Sequence, residues 1–252
     1  MRLIQFPIGI FGVAMGTAIL PALSEHAARG DYGRLREDFS FALRLLFFIS
    51  VPAMAGLIAL REPIVNLLFQ RGKFDFGATQ GTAEALFFYA IGIWSIVGVR
   101  VITAAFYSMQ DTRTPVRIAV IGMVSNLLFS LALMGPMRHS GLALSNSLAS
   151  GLNFVLLFFF LRRKLGRVDA RKILKSFAKI CIASSVMGLS GWFLLHGGMW
   201  ESAGRSIEKA VYLSGTIVIC SCVYLTISFF LRGEEMNYFY ERIRNRTGRR
   251  TT

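Results

Sequence analysis

Charged residues are scarce in this chain of 252 residues. Asp, Glu, Lys and Arg make up only 17% of it, whereas a soluble domain carries about a quarter. Hydrophobic residues make up 54% and aromatic residues 13%. The apolar residues come in runs of about 20, the length that a helix needs to cross a bilayer. These runs exclude an ordinary soluble domain, and their lack of strand-like alternation predicts helices.

Acidic residues, cysteines and histidines are especially few. The 14 acidic residues stand against 28 basic ones, but the basic residues cluster between apolar runs, as membrane topology requires. Nucleic acid is therefore not predicted as a partner. Cys181, Cys220 and Cys222 lie inside apolar runs, where packing is expected. The three histidines are scattered and show no metal-ligand spacing, so no metal and no cofactor are predicted. The usual catalytic residue sets are also missing, and no enzyme is predicted.

Seven apolar runs predict an all-α polytopic membrane protein. The predicted spans are Leu3–Leu23, Phe39–Leu60, Thr79–Tyr107, Pro115–Met134, Gly141–Leu161, Phe177–Leu195 and Ala210–Leu231. The third is long, and a kink is expected near Gly92 or Gly98. The segment Glu62–Gln70 is too short to cross and predicts an interfacial or re-entrant helix, with Pro63 in its first turn.

The basic residues concentrate on one side of the predicted spans. This side receives a basic linker at 162–176, expected along the anionic inner leaflet, and a basic tail at 232–252. The linker separates a five-span part, 1–161, from a terminal helix pair, 177–231. The positive-inside rule then places the C-terminus in the cytoplasm and Met1 outside. Because an exported N-terminus without a signal is uncommon, we expect that Met1 is not the natural start and that an odd number of spans precedes it.

Two turn sequences resemble those of one transporter family. They are LFQRGKF at 68–74, after the short helix, and AFYSMQDTRTP at 105–115, after the third span. Together they resemble the MurJ/MviN family of lipid II flippases, in the multidrug/oligosaccharidyl-lipid/polysaccharide exporter superfamily. Family members have fourteen helices, and this chain resembles helices eight to fourteen. The resemblance thus implies that an N-terminal half, or a separate chain, supplies helices one to seven.

The second turn sequence also has a purely structural interpretation. Thr114 is expected to cap the following helix, and Pro115 to take its first position. Asp111 is expected to pair with Arg113 or Arg117. A gate element that touches the other lobe is the alternative interpretation of this turn.

The resemblance implies a transporter of the bacterial inner membrane that works by alternating access between two lobes. Its substrate would be lipid II, an undecaprenyl-diphosphate disaccharide-pentapeptide, moved from the cytoplasmic to the periplasmic leaflet. The headgroup would enter a cationic cavity, while the polyprenyl tail stays among membrane lipids along a groove beside the terminal pair. The alternatives are a flippase for another polyprenyl-diphosphate oligosaccharide, such as an O-antigen unit, and a non-transporting membrane scaffold. A drug or cation antiporter is disfavoured because no acidic cavity residues are evident.

Two arginines are candidates for binding the diphosphate. Arg2 has two interpretations. It either marks the end of a span, with its side chain extended to the membrane interface, or binds phosphate oxygens through the planar set of donors on its guanidinium group. Its context, shared with Gln5 and Pro7, resembles the start of helix eight in the family, where an arginine points into the central cavity. Arg100 lies within the third span, where a charge is expected to face a bundle interior or a watery cavity. It either snorkels to the inner headgroups or belongs to the cationic cavity.

Two further sets of residues have competing interpretations. Glycines and a proline crowd the first span, where they allow close packing, or bending for alternating access; they are Pro7, Gly9, Gly12 and Gly16. Polar side chains in the fourth and fifth spans are expected to form hydrogen bonds between helices, with an ion-coordinating site as the sharper alternative; they are Asn126, Ser130, Asn146 and Asn153.

Overall fold

A computed structural model of the chain describes residues 9, 14–70, 76–166, 168–195, 200 and 206–231. Nearly all of these residues are helical, and no strand occurs among them. The helices are α1 (Ala14–Ala28), α2 (Tyr32–Ala59), α3 (Arg61–Phe69), α4 (Phe76–Ile91), α5 (Ile93–Ser108), α6 (Arg113–Leu165), α7 (Ala170–Leu194) and α8 (Ser206–Phe230).

Six stretches of the described residues are long and apolar enough to cross a membrane. They are Tyr32–Ala59, Phe76–Ser108, Arg113–Met137, Ser140–Leu165, Ala170–Leu194 and Ile207–Phe230. Each corresponds to one predicted span, and α1 contains residues 14–23 of the first. The all-α membrane fold predicted from the apolar runs is confirmed.

Helix α2 forms the centre of the bundle. Its fully buried residues Leu35, Phe39, Leu43 and Leu46 recur every three or four positions, the spacing that places side chains on one face of a helix. The helix packs against α1, α4, α5 and α7. At its N-terminus the carboxylate of Asp31 accepts a hydrogen bond from the Arg34 N–H at 3.1 Å, which satisfies one of the free amides of the first turn.

Helix α6 is a hairpin with two antiparallel arms, Arg113–Met137 and Ser140–Leu165. A straight helix of 53 residues would be about 80 Å long, yet the Oγ atoms of Ser130 and Ser145 lie 2.8 Å apart. Near the tip, a Cβ built on Gly141 would lie 2.4 Å from the carbonyl oxygen of Leu133. Only glycine permits this approach of the two backbones, and the chain reverses there.

The long third span breaks at Gly92, one of the two positions expected to kink. The Gly92 N–H bonds to the Tyr89 carbonyl at 3.1 Å, which tightens the helix and frees the Phe88 carbonyl from its usual partner. The Ser147 hydroxyl donates to that carbonyl at 2.6 Å. A Cβ on Gly92 would lie 2.9 Å from the Ser147 Cα, so this glycine allows both the break and the close contact with α6.

Several helices extend beyond the apolar runs. Helix α2 begins at Tyr32 rather than Phe39, and α7 begins at Ala170 rather than Phe177. The predicted basic linker 162–176 is therefore mostly helical, with its break near Gly166 (φ 79°). The reason is that charged residues end an apolar run without ending a helix, and lysines and arginines in a last turn favour the helix dipole.

Candidate functional site

Arg100 lies where α1 crosses α5. It is exposed and sits eight residues before the end of α5 at Ser108, about 12 Å inside the helix. A Cβ built on Gly16 would lie 3.8 Å from the Arg100 Cβ, so the two helices approach closely at this arginine. Among the described residues Arg100 has no ion-pair partner. A cation is thus presented within a membrane span.

The structure brings together only part of the predicted site. Arg100 and Gly16, predicted for the diphosphate site and the bending helix, lie together at the crossing of α1 and α5. Gly9 is exposed, and a Cβ there would meet nothing within 4 Å. The other predicted residues of the first span lie outside the described residues; they are Arg2, Gln5, Pro7 and Gly12.

The polar residues of α6 include a hydrogen bond between the two arms. Ser130 and Ser145 share it at 2.8 Å, which confirms the expected use of Ser130 between helices. The side-chain oxygens of Asn126 and Asn153 are buried and have no hydrogen-bond partner among the described residues. The Asn146 carbonyl accepts a hydrogen bond from Ser150 at 2.8 Å. An ion site formed by Asn126, Ser130 and Asn146 stays a prediction.

Asp111 closes the other end of the α6 hairpin. Its carboxylate accepts hydrogen bonds from the Thr114 N–H at 3.0 Å and the Thr114 hydroxyl at 2.9 Å. Lys164, near the end of the second arm, donates a hydrogen bond of 2.6 Å to the same carboxylate. The Lys164 ammonium lowers the pKa of Asp111 to about 2 by this hydrogen bond, and both Thr114 donors add to the effect.

The expected partners of Asp111 were wrong. Its partner is Lys164 rather than Arg113 or Arg117, because the hairpin brings a residue from far along the chain to this turn. Thr114 is also not the cap: the helix begins at Arg113 with Thr112 at the N-cap position. The Asp111 carboxylate, one residue earlier, accepts from the Thr114 N–H in the first turn. The preceding Gln110 adopts φ 58°, a conformation uncommon outside glycine, which reverses the chain here.

A polar cluster around one buried lysine lies at the opposite end of the bundle. It was not predicted from the sequence. Lys209 at the start of α8 is 2% exposed and donates to the Asn66 side chain on α3 at 2.9 Å. Its ammonium lies 5.7 Å from the ring centre of Trp200, and Asn66 donates to the Trp200 carbonyl and to Gln70. The only sequence signal is an asparagine within a short apolar helix. The cluster ties α3 to the terminal pair.

The terminal pair, α7 and α8, packs closely through small residues. A Cβ on Gly191 would lie 2.9 Å from the Cys220 sulfur, and one on Gly188 would lie 3.7 Å from the Ala55 carbonyl oxygen. The Tyr224 hydroxyl donates to the Phe48 carbonyl at 2.7 Å. The pair is therefore attached to α2 by both apolar packing and a buried hydrogen bond.

Comparison with known proteins gives consistent matches. The family model for the lipid II flippase MurJ matches residues 1–204. The chain is 34% identical over 231 residues to the probable lipid II flippase MurJ of Vibrio cholerae serotype O1, covering 91% of this chain and 44% of that protein. It is 28% identical over 242 residues to the lipid II flippase MurJ of Burkholderia cenocepacia, covering 96% and 47%. The chain thus spans about half the length of these curated relatives.

A solved structure shares the fold. It is described as lipid II flippase MurJ in an inward closed conformation, and it matches with a TM-score of 0.71 at 24% identity. The match covers 92% of this chain and 47% of that one, a share that fits the predicted C-terminal half. With a family model matched over four-fifths of its length, this multi-pass membrane chain belongs to the lipid II flippase MurJ family.

Proposed function

We propose that this chain forms the C-terminal half of a lipid II flippase of the bacterial inner membrane, with its C-terminus in the cytoplasm. Membership of the MurJ family supports the proposal. The observation that carries it is Arg100, an exposed cation within a span, at the close crossing of α5 with α1 beside Gly16. An anionic diphosphate between low-dielectric walls requires fixed cations, and an arginine offers it a planar set of donors.

The transport cycle would use two lobes. Arg2 and Arg100 would bind the diphosphate in a central cavity, and helices one to seven, from an N-terminal half or a separate chain, would form the remaining wall. The polyprenyl tail would remain in lipid beside α7 and α8. Bending of the first span at Pro7 and its glycines would open the cavity to alternate sides of the membrane. The chain alone would not transport, because half a cavity cannot be closed to either side of the membrane.

Complementation of a bacterium depleted of its own lipid II flippase tests this function. The chain is expressed alone and then with a separately encoded seven-helix N-terminal half, and membrane insertion of both is checked by immunoblot. We expect growth only with the pair. Arg100→Ala is expected to abolish growth and Arg100→Lys to restore part of it, whereas Arg163→Ala, which removes an exposed cation beside Phe159, leaves growth unchanged.

Three results would contradict the proposal. Rescue by the chain alone would show that half a cavity suffices. Full growth with both Arg100→Ala and Arg2→Ala would show that neither cation binds an essential substrate. If a stable, correctly inserted pair fails to restore growth, the chain would instead act on another polyprenyl-diphosphate substrate or serve as a non-transporting scaffold.

A further inference from the structure

An aromatic cavity lies between the second arm of α6 and the start of α7. Its volume is about 330 Å³, and its lining is apolar. The aromatic members of the lining are Phe47, Trp94, Phe154, Phe158 and Phe177. Their rings contact one another, with centroids 5.0 Å apart for Phe47 and Phe177 and 5.1 Å for Trp94 and Phe154. This volume lies in the range of small-molecule binding sites, about 300–1,000 Å³.

The aromatic residues on α6 and α7 that line the cavity lie within the depth of about one leaflet. Phe158 lies seven residues before the end of α6, and Phe177 lies seven residues after the start of α7, so both lie about 10 Å from those helix ends. Phe154 lies one turn deeper, at about 16 Å. Half of the hydrocarbon core measures about 15 Å. A single acyl chain that enters from the Asp111 side, predicted to be cytoplasmic, would therefore run the length of the cavity.

Two exposed arginines flank the entrance. Arg162 follows Phe158 by four residues and so lies one turn nearer the helix end on the same face. Arg171 precedes the cavity residue Leu174 by three residues and so lies one turn nearer the start of α7. Both are exposed, and neither forms an ion pair or a hydrogen bond with a described residue. Their neighbours differ, because Lys164 pairs with Asp111 at 2.6 Å and Lys172 pairs with Asp169 at 3.2 Å.

We propose that this cavity binds one acyl chain of an anionic phospholipid from the cytoplasmic leaflet, with the lipid phosphate against Arg162 and Arg171. The apolar aromatic lining recognises the acyl chain, and the two exposed cations select an anionic headgroup over a zwitterionic one. Such a lipid would fill the space between the five-span part and the terminal pair. The proposal concerns a site apart from Arg100 and does not depend on transport.

Trp94 reports directly on occupancy, because its indole lines the cavity. The full chain, with Trp192→Phe and Trp200→Phe, is reconstituted in nanodiscs containing phosphatidylcholine and a small fraction of phosphatidylglycerol with brominated acyl chains, which quench tryptophan fluorescence on contact. We expect half-maximal quenching at a mole fraction of brominated phosphatidylglycerol many-fold lower than that of brominated phosphatidylcholine. Each arginine is expected to contribute roughly fivefold to this preference.

Variants separate the cavity from the surrounding bilayer. Arg162→Gln with Arg171→Gln is expected to remove the preference. Arg163→Gln, which removes an exposed cation over the Phe159 ring on another face of α6, is expected to leave it intact. Ala170→Phe is expected to weaken quenching by both lipids, since the added ring fills the entrance.

A second reporter and a second lipid provide the decisive controls. In a variant whose only tryptophan is Trp192, which is 49% exposed, the two brominated lipids are expected to quench fluorescence equally. Equal quenching of Trp94 by the two lipids, an unchanged preference in the double arginine variant, or the same preference at Trp192 would overturn the proposal. Displacement of phosphatidylglycerol by a polyprenyl phosphate at a lower mole fraction would also overturn it and assign the cavity to the substrate tail.

Discussion

Helix α2 and the first arm of α6 are equally apolar and lie in opposite surroundings. In α2, 50% of the most apolar stretch is buried, whereas in Arg113–Met137 the share is only 11%. The arm instead exposes large side chains such as Met123 and Leu131, at 68% and 64%. Hydropathy therefore identifies a membrane span but not its place in the bundle, because side chains facing lipid and side chains facing protein are equally apolar.

The sharpest test of this comparison removes one leucine from each helix. Leu43 of α2 is fully buried, whereas Leu127 of the arm is 60% exposed. We expect Leu43→Ala to reduce the free energy of unfolding by about 2–5 kcal/mol, because it leaves a cavity in the packed core. Leu127→Ala is expected to change it by less than about 0.5 kcal/mol. Unfolding in detergent micelles measures both, and equal losses would mean that the arm is buried in the assembled protein.

Two glycines of the same span give a second, smaller contrast. A Cβ on Gly92 would lie 2.6 Å from the Ser147 Oγ and 2.9 Å from its Cα, whereas one on Gly81 would meet nothing within 4 Å. We expect Gly92→Ala to destabilise by about 1–3 kcal/mol, since the helices must separate. Gly81→Ala is expected to be neutral or slightly stabilising because alanine favours helix. Thermal unfolding of the two variants checks this. Unchanged stability of the Gly92→Ala protein would contradict the close contact between Gly92 and α6.

The ion pair between Asp111 and Lys164 joins the two ends of the α6 hairpin, and its contribution to the free energy of unfolding should depend on pH. The pKa of Asp111 is lowered from 3.8 to about 2, so its ion pair with Lys164 stabilises the folded state above pH 4 and is lost as the pH falls towards 2. We expect Asp111→Asn to cost on the order of 1 kcal/mol at neutral pH, since Lys164 is partly exposed and its charge is screened.

The pH profile separates this ion pair from an ordinary surface pair. The wild-type protein is expected to lose stability between pH 4 and 2 by an amount that the Asp111→Asn variant does not lose. Asp169→Asn, which removes an exposed pair with Lys172, provides the matched control and is expected to cost a few tenths of a kcal/mol. Parallel profiles for the wild-type protein and Asp111→Asn would show that the Lys164 contact contributes nothing.

The predictions from sequence succeeded where a local pattern determines the structure. Apolar runs of membrane length predicted the spans, and a nine-residue apolar segment predicted the short helix at Arg61–Phe69. The break at Gly92 followed from a glycine in an overlong span. The predicted ends were less accurate, as at Tyr32 and Ala170, because a helix continues past the last apolar residue while its backbone hydrogen bonds remain available.

The remaining features depend on contacts between distant parts of the chain. The partner of Asp111 is 53 residues away, and Asn66 meets Lys209 from a position 143 residues earlier. No local spacing indicates such a pair. The aromatic cavity collects rings from four helices, and a sequence shows each ring without its neighbours. For the site, the structure brings Gly16 to Arg100, while the substrate roles of Arg2 and Arg100 stay predictions.

The smallest expected effect concerns the hydrogen bond between the two arms of α6. Ser130 and Ser145 form it at 2.8 Å, whereas Ser221 bonds only within its own helix, to Ile217. A double-mutant cycle of Ser130→Ala and Ser145→Ala is expected to give a coupling free energy of about 0.6 kcal/mol, the average for such bonds in membranes. Ser130→Ala combined with Ser221→Ala should give none. Because the exposed arm has few buried side chains, a coupling near zero would mean that apolar contact alone holds it, and the contrast with α2 would then rest on packing without a polar contribution.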